Sequence, residues 1–196
     1  MNPRYAILLD GGFVTKALAI KNSQYPTAVD IQTECSRIQS HPELAKMDLL
    51  RVYFYDSPPA GGSLKNPIDG SIMELGKSAV HTRNTKLLED IEVLPYFAVR
   101  RGETVTRGWK IGDKAQRRLL KKPASPQARD LVPNIQQKGV DLRIGLDIAR
   151  LALKETVRII VVVTGDSDLV PAFKFARPQR QTGFECASAH FGKSRQ

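Results

Sequence analysis

Two aspartates set two positions apart close an apolar run: in VVVTGDSDLVPAFKFAR, residues 161–177, Asp166 and Asp168 follow Val161, Val162 and Val163. Asp10 closes a second run, YAILLD, at residues 5–10, and Asp141 and Asp147 lie in DLRIGLDIARLALKE, the stretch that leads back to Asp166. Carboxylates gathered in one cleft repel and raise one another's pKa. A hard divalent cation relieves the repulsion, and Mg²⁺ or Mn²⁺ takes oxygen ligands in an octahedral shell that keeps several waters. Such an ion orients hydroxide and neutralises charge on a phosphate under in-line attack. The residue types therefore suit metal-assisted phosphodiester hydrolysis. Asp10, Asp141, Asp166 and Asp168 are the candidate ligands, and Asp147 is a further candidate acid.

What must position these acids is legible in the apolar spacing. YAILLD is short, continuous and bounded by Gly11-Gly12, as expected for a strand buried on both faces. DLLRVYFYDSPP, residues 48–59, is a second strand stopped by two prolines, and VRIIVVVTGDSD is the most apolar strand of the chain. Between them the spacing predicts a helix with Val29, Ile31, Cys35 and Ile38 on its inner side and a polar helix over about 71–89. A further helix is expected to bury Leu142, Leu146, Ile148, Ala149, Leu151 and Ala152. Residues 169–176 are expected to be helical, and TGFECASAHF, residues 182–191, to form a last strand.

Alternating strands and helices imply a mostly parallel sheet with right-handed crossovers, in which ligands gather outside the carboxyl ends of the strands. Asp10 and Asp166 end strands there, and a crossover helix begins there, which adds Asp141. Asp147 is six residues on, about 240° around a helix, so it and Asp141 do not share one face cleanly; either the helix starts later or only one points at the site. Helix capping competes for two of these residues, Asp168 before Leu169 and Asp141 before Leu142.

The 196 residues carry 30 Lys+Arg against 20 Asp+Glu, a formal charge of +10, which favours a polyanionic partner. EVLPYFAVRRGETVTRGWKIG, residues 92–112, reads as a β-hairpin turning at Gly102-Glu103, and residues 113–133 as an exposed basic loop with three prolines. Arg100, Arg101, Arg107, Lys110, Arg117, Arg118, Lys121 and Lys122 are the candidate phosphate contacts, with Trp109 or Tyr96 available for base stacking. Cys35 and Cys186 have no metal-ligand spacing, and His41, His81 and His190 are scattered. No stretch approaches the ~18 apolar residues of a membrane span, and no secretory pattern opens the chain. The expectation is a soluble cytoplasmic protein with no membrane partner.

Three blocks resemble the signature of the NYN domain, the LabA-like branch of the PIN-like nuclease superfamily: ILLDGGFV at 7–14, KGVDLRIGLDIARLA at 138–152 and VVVTGDSDLVPAFKFAR at 161–177. The resemblance implies a single domain over 1–196, a three-layer α/β/α Rossmann-like (PIN-like) fold with a central, mostly parallel sheet. The basic hairpin and loop over about 93–135 would be an insertion. It also implies a ribonuclease site using Mg²⁺ or Mn²⁺, with Asp10, Asp141, Asp147, Asp166 and Asp168 as its acids, single-stranded RNA as substrate and room for a homodimer. Lys138 matches the lysine heading the middle block and would contact a phosphate or orient an acid. Thr164 or Ser167 would hold a carboxylate or a water. Where relatives often place an Asn after the first Asp, this chain has Gly11, Gly12 and Phe13, and its carboxyl end looks curtailed against the family's last strand and helix.

Two other enzyme classes fail on single positions. A haloacid-dehalogenase-like phosphatase needs a second acid two places after the first, and Gly12 stands there. A dinucleotide-binding loop needs G-x-G-x-x-G, which LDGG is not. The rival from another class is a catalytically weak PIN-like RNA-binding or adaptor module that works through the basic loop alone.

Overall fold

Five apolar residues in a row, Tyr5 to Leu9, leave a strand no polar face, so it has to be covered on both sides. The computed structural model describes residues 2–177, and in it Tyr5, Ala6, Ile7, Leu8 and Leu9 are all buried in β1 (Arg4–Asp10). The chain continues through α1 (Gly11–Asn22), α2 (Ala28–Gln39), β2 (Asp48–Asp56), β3 (Ser63–Lys65), β4 (Ile72–Glu74), α3 (Ala79–Glu92), β5 (Phe97–Arg101) and β6 (Glu103–Ile111). After these come α4 (Asp113–Lys121), β7 (Leu131–Lys138), α5 (Val140–Leu153), β8 (Ile159–Val163) and α6 (Val170–Ala176). TGFECASAHF lies outside the described residues.

The chain divides into two compact units. The first takes the residues up to Asp56, Leu87–Gly102 and the residues from Gly139 on. Its sheet has four strands in the order β5-β2-β1-β8, all parallel. Odd-numbered β1 residues Tyr5, Ile7 and Leu9 pack with Val52, Phe54, Val161 and Val163 against Val14 and Leu18 of α1, Ile31, Cys35 and Ile38 of α2, and Leu87, Leu88 and Ile91 of α3. Even-numbered Ala6 and Leu8 pack with Tyr53, Tyr55, Ile160 and Val162 against Val140, Ile144, Ile148, Leu151 and Ala152 of α5. This is a three-layer, PIN-like α/β/α fold. Each of the buried valines of β8 contributes about 1.5–3 kcal/mol over an exposed one, so β8 is held at the sheet mainly by burial.

The second unit comprises Ser57–Lys86 and Glu103–Lys138. It holds two antiparallel pairs, β3 with β4 and β6 with β7. Asn66 Nδ2 donates to the Ala128 carbonyl at 3.2 Å, Trp109 Nε1 to the Lys65 carbonyl at 2.9 Å, and Arg118 pairs with the buried Asp130 at 2.6 Å.

Four expectations change. The hairpin turning at Gly102-Glu103 does not form, because β5 pairs parallel with β2 and satisfies that strand's backbone, while β6 takes β7 as partner. Residues 113–121, expected in a loop, are helical as α4, and the basic insertion is therefore a β6–α4–β7 arrangement. The apolar phase of α5 is also shifted: Leu142 and Leu146 are 67% and 60% exposed, and Val140 and Ile144 are buried in their place. Val29 of α2 is likewise exposed. No helix of the described residues is long and apolar enough to cross a membrane.

The first turn of α1 lies against the end of β2: a Cβ on Gly11 would stand 2.7 Å from the Tyr55 carbonyl oxygen and 2.8 Å from the Phe54 ring. Backbone cannot yield as a flexible side chain can. Gly11→Ala is therefore expected to destabilise the chain by about 1–3 kcal/mol, the range for overpacking a core, read as a lowered urea midpoint with unchanged slope.

Candidate active site

β1 and β8 are parallel neighbours in register to Leu9 and Val163, so Asp10 and Thr164 leave the sheet side by side. Thr164 Oγ1 donates to Asp10 Oδ2 at 2.9 Å, and the Phe13 amide donates to Asp10 Oδ1 at 3.2 Å, which makes Asp10 the N-cap of α1. The Asp166 amide donates to Thr164 Oγ1 at 3.0 Å, and the Asp168 amide to Asp166 Oδ1 at 2.8 Å. One hydroxyl thus links the ends of the two strands. The loop comes close because residue 165 is glycine: a Cβ there would stand 2.6 Å from the Phe13 ring of α1.

The capping alternatives resolve differently from expectation. Asp166, not Asp168, caps the 3-10 turn Ser167–Leu169, and Asp168 lies inside that turn. Gly139, at φ 75°, is the N-cap of α5, and Asp141 sits in its first turn without a capping hydrogen bond. Capping accounts for neither Asp141 nor Asp168.

Asp141 stands among the other acids. Its carboxyl is held above the ordinary aspartate value of 3.8 by burial first, then by the charges of Asp166, Asp10 and Asp168 in that order. A carboxylate in the first turn of a helix ordinarily benefits from the helix dipole, so desolvation and the neighbouring charges together outweigh that benefit. Four of the five expected acids therefore converge on one sheet edge. As they lie, no three Asp, Glu, His or Cys side chains among the described residues are close enough to share one ion.

Asp147 belongs to a different group. Its Oδ2 accepts from Tyr55 Oη at 2.8 Å and lies 3.3 Å from Arg100 Nε, and its Oδ1 is 2.9 Å from Arg150. The Tyr55 phenol is pushed well above its usual range by burial and then by the Asp147 charge. Of the two acids of α5, Asp141 therefore lies by the other carboxylates and Asp147 by Arg100 and Arg150. Arg150, Tyr53 and Tyr55 were absent from the expected set; the signals were the (i, i+3) spacing of Asp147 and Arg150 and the alternate tyrosines of β2.

The expected phosphate contacts are distributed over both units. Arg100 and Arg101 belong to the first, and Arg101 pairs with Glu92 at 2.6 Å. Arg107, Lys110, Arg117, Arg118, Lys121, Lys122 and Lys138 are exposed residues of the second. Arg118 is tied to Asp130 there, and Trp109 is half-buried, whereas Tyr96 of the first unit is exposed.

The family model of the NYN domain matches residues 68–195. The chain belongs to the NYN domain family. That family is part of the PIN-like nuclease superfamily, whose members generally use divalent metals. The matched range of the NYN domain takes in Lys138, Asp141, Asp147, Asp166 and Asp168, and Asp10 precedes it. No curated protein and no solved structure matches the chain.

The raised carboxyl of Asp141 carries a sign that stability measurements read. The folded chain holds that proton more tightly than the unfolded chain, so the group's contribution to stability is greatest below 3.8 and declines as pH rises through the window above it. In EDTA at pH 7, Asp141→Asn is expected to melt at a higher temperature than the unaltered chain. The difference should vanish below about pH 3.8. A variant that melts lower at neutral pH would show that Asp141 does not feel the other three charges.

Proposed function

We propose that this NYN domain is a metal-dependent ribonuclease that hydrolyses the phosphodiester bonds of single-stranded RNA with Mg²⁺ or Mn²⁺. The observation that carries the reading is that Asp10 and Asp166 meet through Thr164 at the carboxyl edge of a parallel sheet, with Asp141 and Asp168 near enough to add to the charge there. Four carboxylates offer oxygen alone, the donor set of a hard divalent cation rather than of zinc or copper. Their charge suits such an ion, which Asp10, Asp141, Asp166 and Asp168 would hold partly through its own waters, since no three of them lie close enough to share it directly. When bound, the ion supplies a Lewis acid against the charge that builds on a phosphate.

The chain's own groups do the rest. Thr164 fixes the Asp10 carboxylate through its hydroxyl, and the amides of Phe13 and Asp168 fix one oxygen each of Asp10 and Asp166. These bonds orient the acids before any substrate arrives, which saves reorganisation during the reaction. The exposed cations of the second unit, with Lys138, raise the local concentration of a polyanion through their summed field. A binding module without catalysis gains nothing from four carboxylates facing RNA.

Asp10→Asn or Asp166→Asn is expected to lower RNA cleavage by at least 10²-fold while the circular-dichroism spectrum and most RNA binding persist. EDTA should abolish cleavage by the unaltered chain, and Mn²⁺ should restore it. Full activity in either variant, or cleavage indifferent to EDTA, overturns the reading. Replacing Arg117, Lys121 and Lys122 with Gln together is expected to reduce the slope of log affinity against log salt by about 2, at roughly 0.7 per phosphate contact on a single strand. Arg118 is left in place because it neutralises Asp130.

A further inference from the structure

Asp10, Tyr55 and Arg100 form one row across the sheet: Asp10 is in register with Tyr55 on β2, and Tyr55 with Arg100 on β5. Two strand spacings separate the ends of that row, about 10 Å. Ala98 and Tyr55 pack on the α5 face, so Arg100, two residues from Ala98 and opposite Tyr55, is directed to the same face. There it meets Asp147 and Arg150 of α5.

The charges in this group do not balance. One carboxylate, Asp147, faces two guanidiniums, and its side chain is only 13% exposed whereas those of Arg100 and Arg150 are 40% and 43% exposed. The acid is turned inward and the cations outward, leaving a net positive charge at the surface. Both guanidiniums also lie against the Tyr53 ring, at 5.3 Å for Arg100 and 5.9 Å for Arg150 from its centroid, and Arg150 reaches the Tyr53 hydroxyl at 3.5 Å. Arg100 Nε meets Asp147 by charge without an aligned hydrogen bond, and its guanidinium stacks on the Tyr53 ring. A pair of planar donor forks, oriented in advance and with one charge in excess, matches phosphate oxygens better than lysine ammoniums would. As an element of stability alone the arrangement is poor, because half-exposed ion pairs are worth little.

We infer that Arg100 and Arg150, braced by Asp147 and the Tyr53 ring, form a phosphate subsite that binds the RNA strand beside the acid cluster. That the phosphate belongs to RNA rests on the ribonuclease reading; the subsite itself rests on the arginine geometry. Asp147 is then a positioning residue, and the acids that face the reacting phosphate are the other four. The strand would run along the sheet edge, with one phosphate at Asp10 and Asp166 and another over β5.

The test is equilibrium binding of a fluorescein-labelled single-stranded RNA to the full chain in EDTA, where no cleavage intrudes, from 50 to 300 mM KCl. Arg100→Gln with Arg150→Gln is expected to lower the slope of log affinity against log salt by about 1.4 and to weaken binding about 25-fold at 0.1 M salt, the counterion share of two contacts. Arg100→Lys with Arg150→Lys keeps the charges and should keep the slope while losing affinity, because the forks are gone. A folded Gln pair with an unchanged slope overturns the subsite, as does a Lys pair whose slope falls as far as that of the Gln pair. If the Gln pair fails to fold, Arg150→Gln alone decides, with a slope lower by about 0.7 expected and an unchanged slope fatal. Cleavage by the unaltered chain is scored separately in Mg²⁺, so an inactive chain that still shows the slope change retains the subsite and loses the ribonuclease.

Discussion

Like charges brought to one sheet edge must be held there against their own repulsion, and most of the first unit serves that end. One N-cap contributes only ~1 kcal/mol, and it offsets the charge of the one carboxylate that makes it. Asp10 and Asp166 do cap the turns that follow them, but capping does not offset a cluster of four. The force that keeps the acids together is remote from them: the burial of β1 and β8 on both faces, which fixes where the strands end.

Two glycines convert that burial into proximity. Gly11 lets the first turn of α1 lie on the end of β2, and Gly165 lets the loop after β8 lie on the Phe13 ring of the same turn. With those approaches made, Thr164 and the backbone amides complete a short chain of hydrogen bonds between Asp10 and Asp166. Gly11 and Phe13, which directly follow Asp10 in α1 save for Gly12 between them, are therefore occupied in packing.

The sequence was most legible where one physical effect dominates. β1, β2 and β8 are continuous apolar runs, and a parallel sheet follows from their alternation with helices, so the sheet edge and four of its acids were readable in advance. Where two effects compete, reading failed. Residues 97–101 fit a hairpin as well as a parallel strand, and only the free edge of β2, distant in sequence, decides between them. The apolar residues of α5 mark two overlapping faces, one holding Ile144 and Ile148 and the other Leu142 and Leu146; which face is buried depends on the two tyrosines of β2. The same phase decides the fate of Asp147, which spacing alone left undetermined.

Asp141 and Asp147 show how one helix can carry two acids to opposite ends. Six residues apart, they face different neighbours: three carboxylates for the first, two guanidiniums and a phenol for the second. An acid whose charge is met by the protein itself has no charge left to attract a cation. One surrounded by other acids lacks a counter-charge from the chain. Compensation therefore separates the two roles more sharply than residue type or motif position does. By that criterion Asp141 groups with Asp10, Asp166 and Asp168, and Asp147 with Arg100 and Arg150.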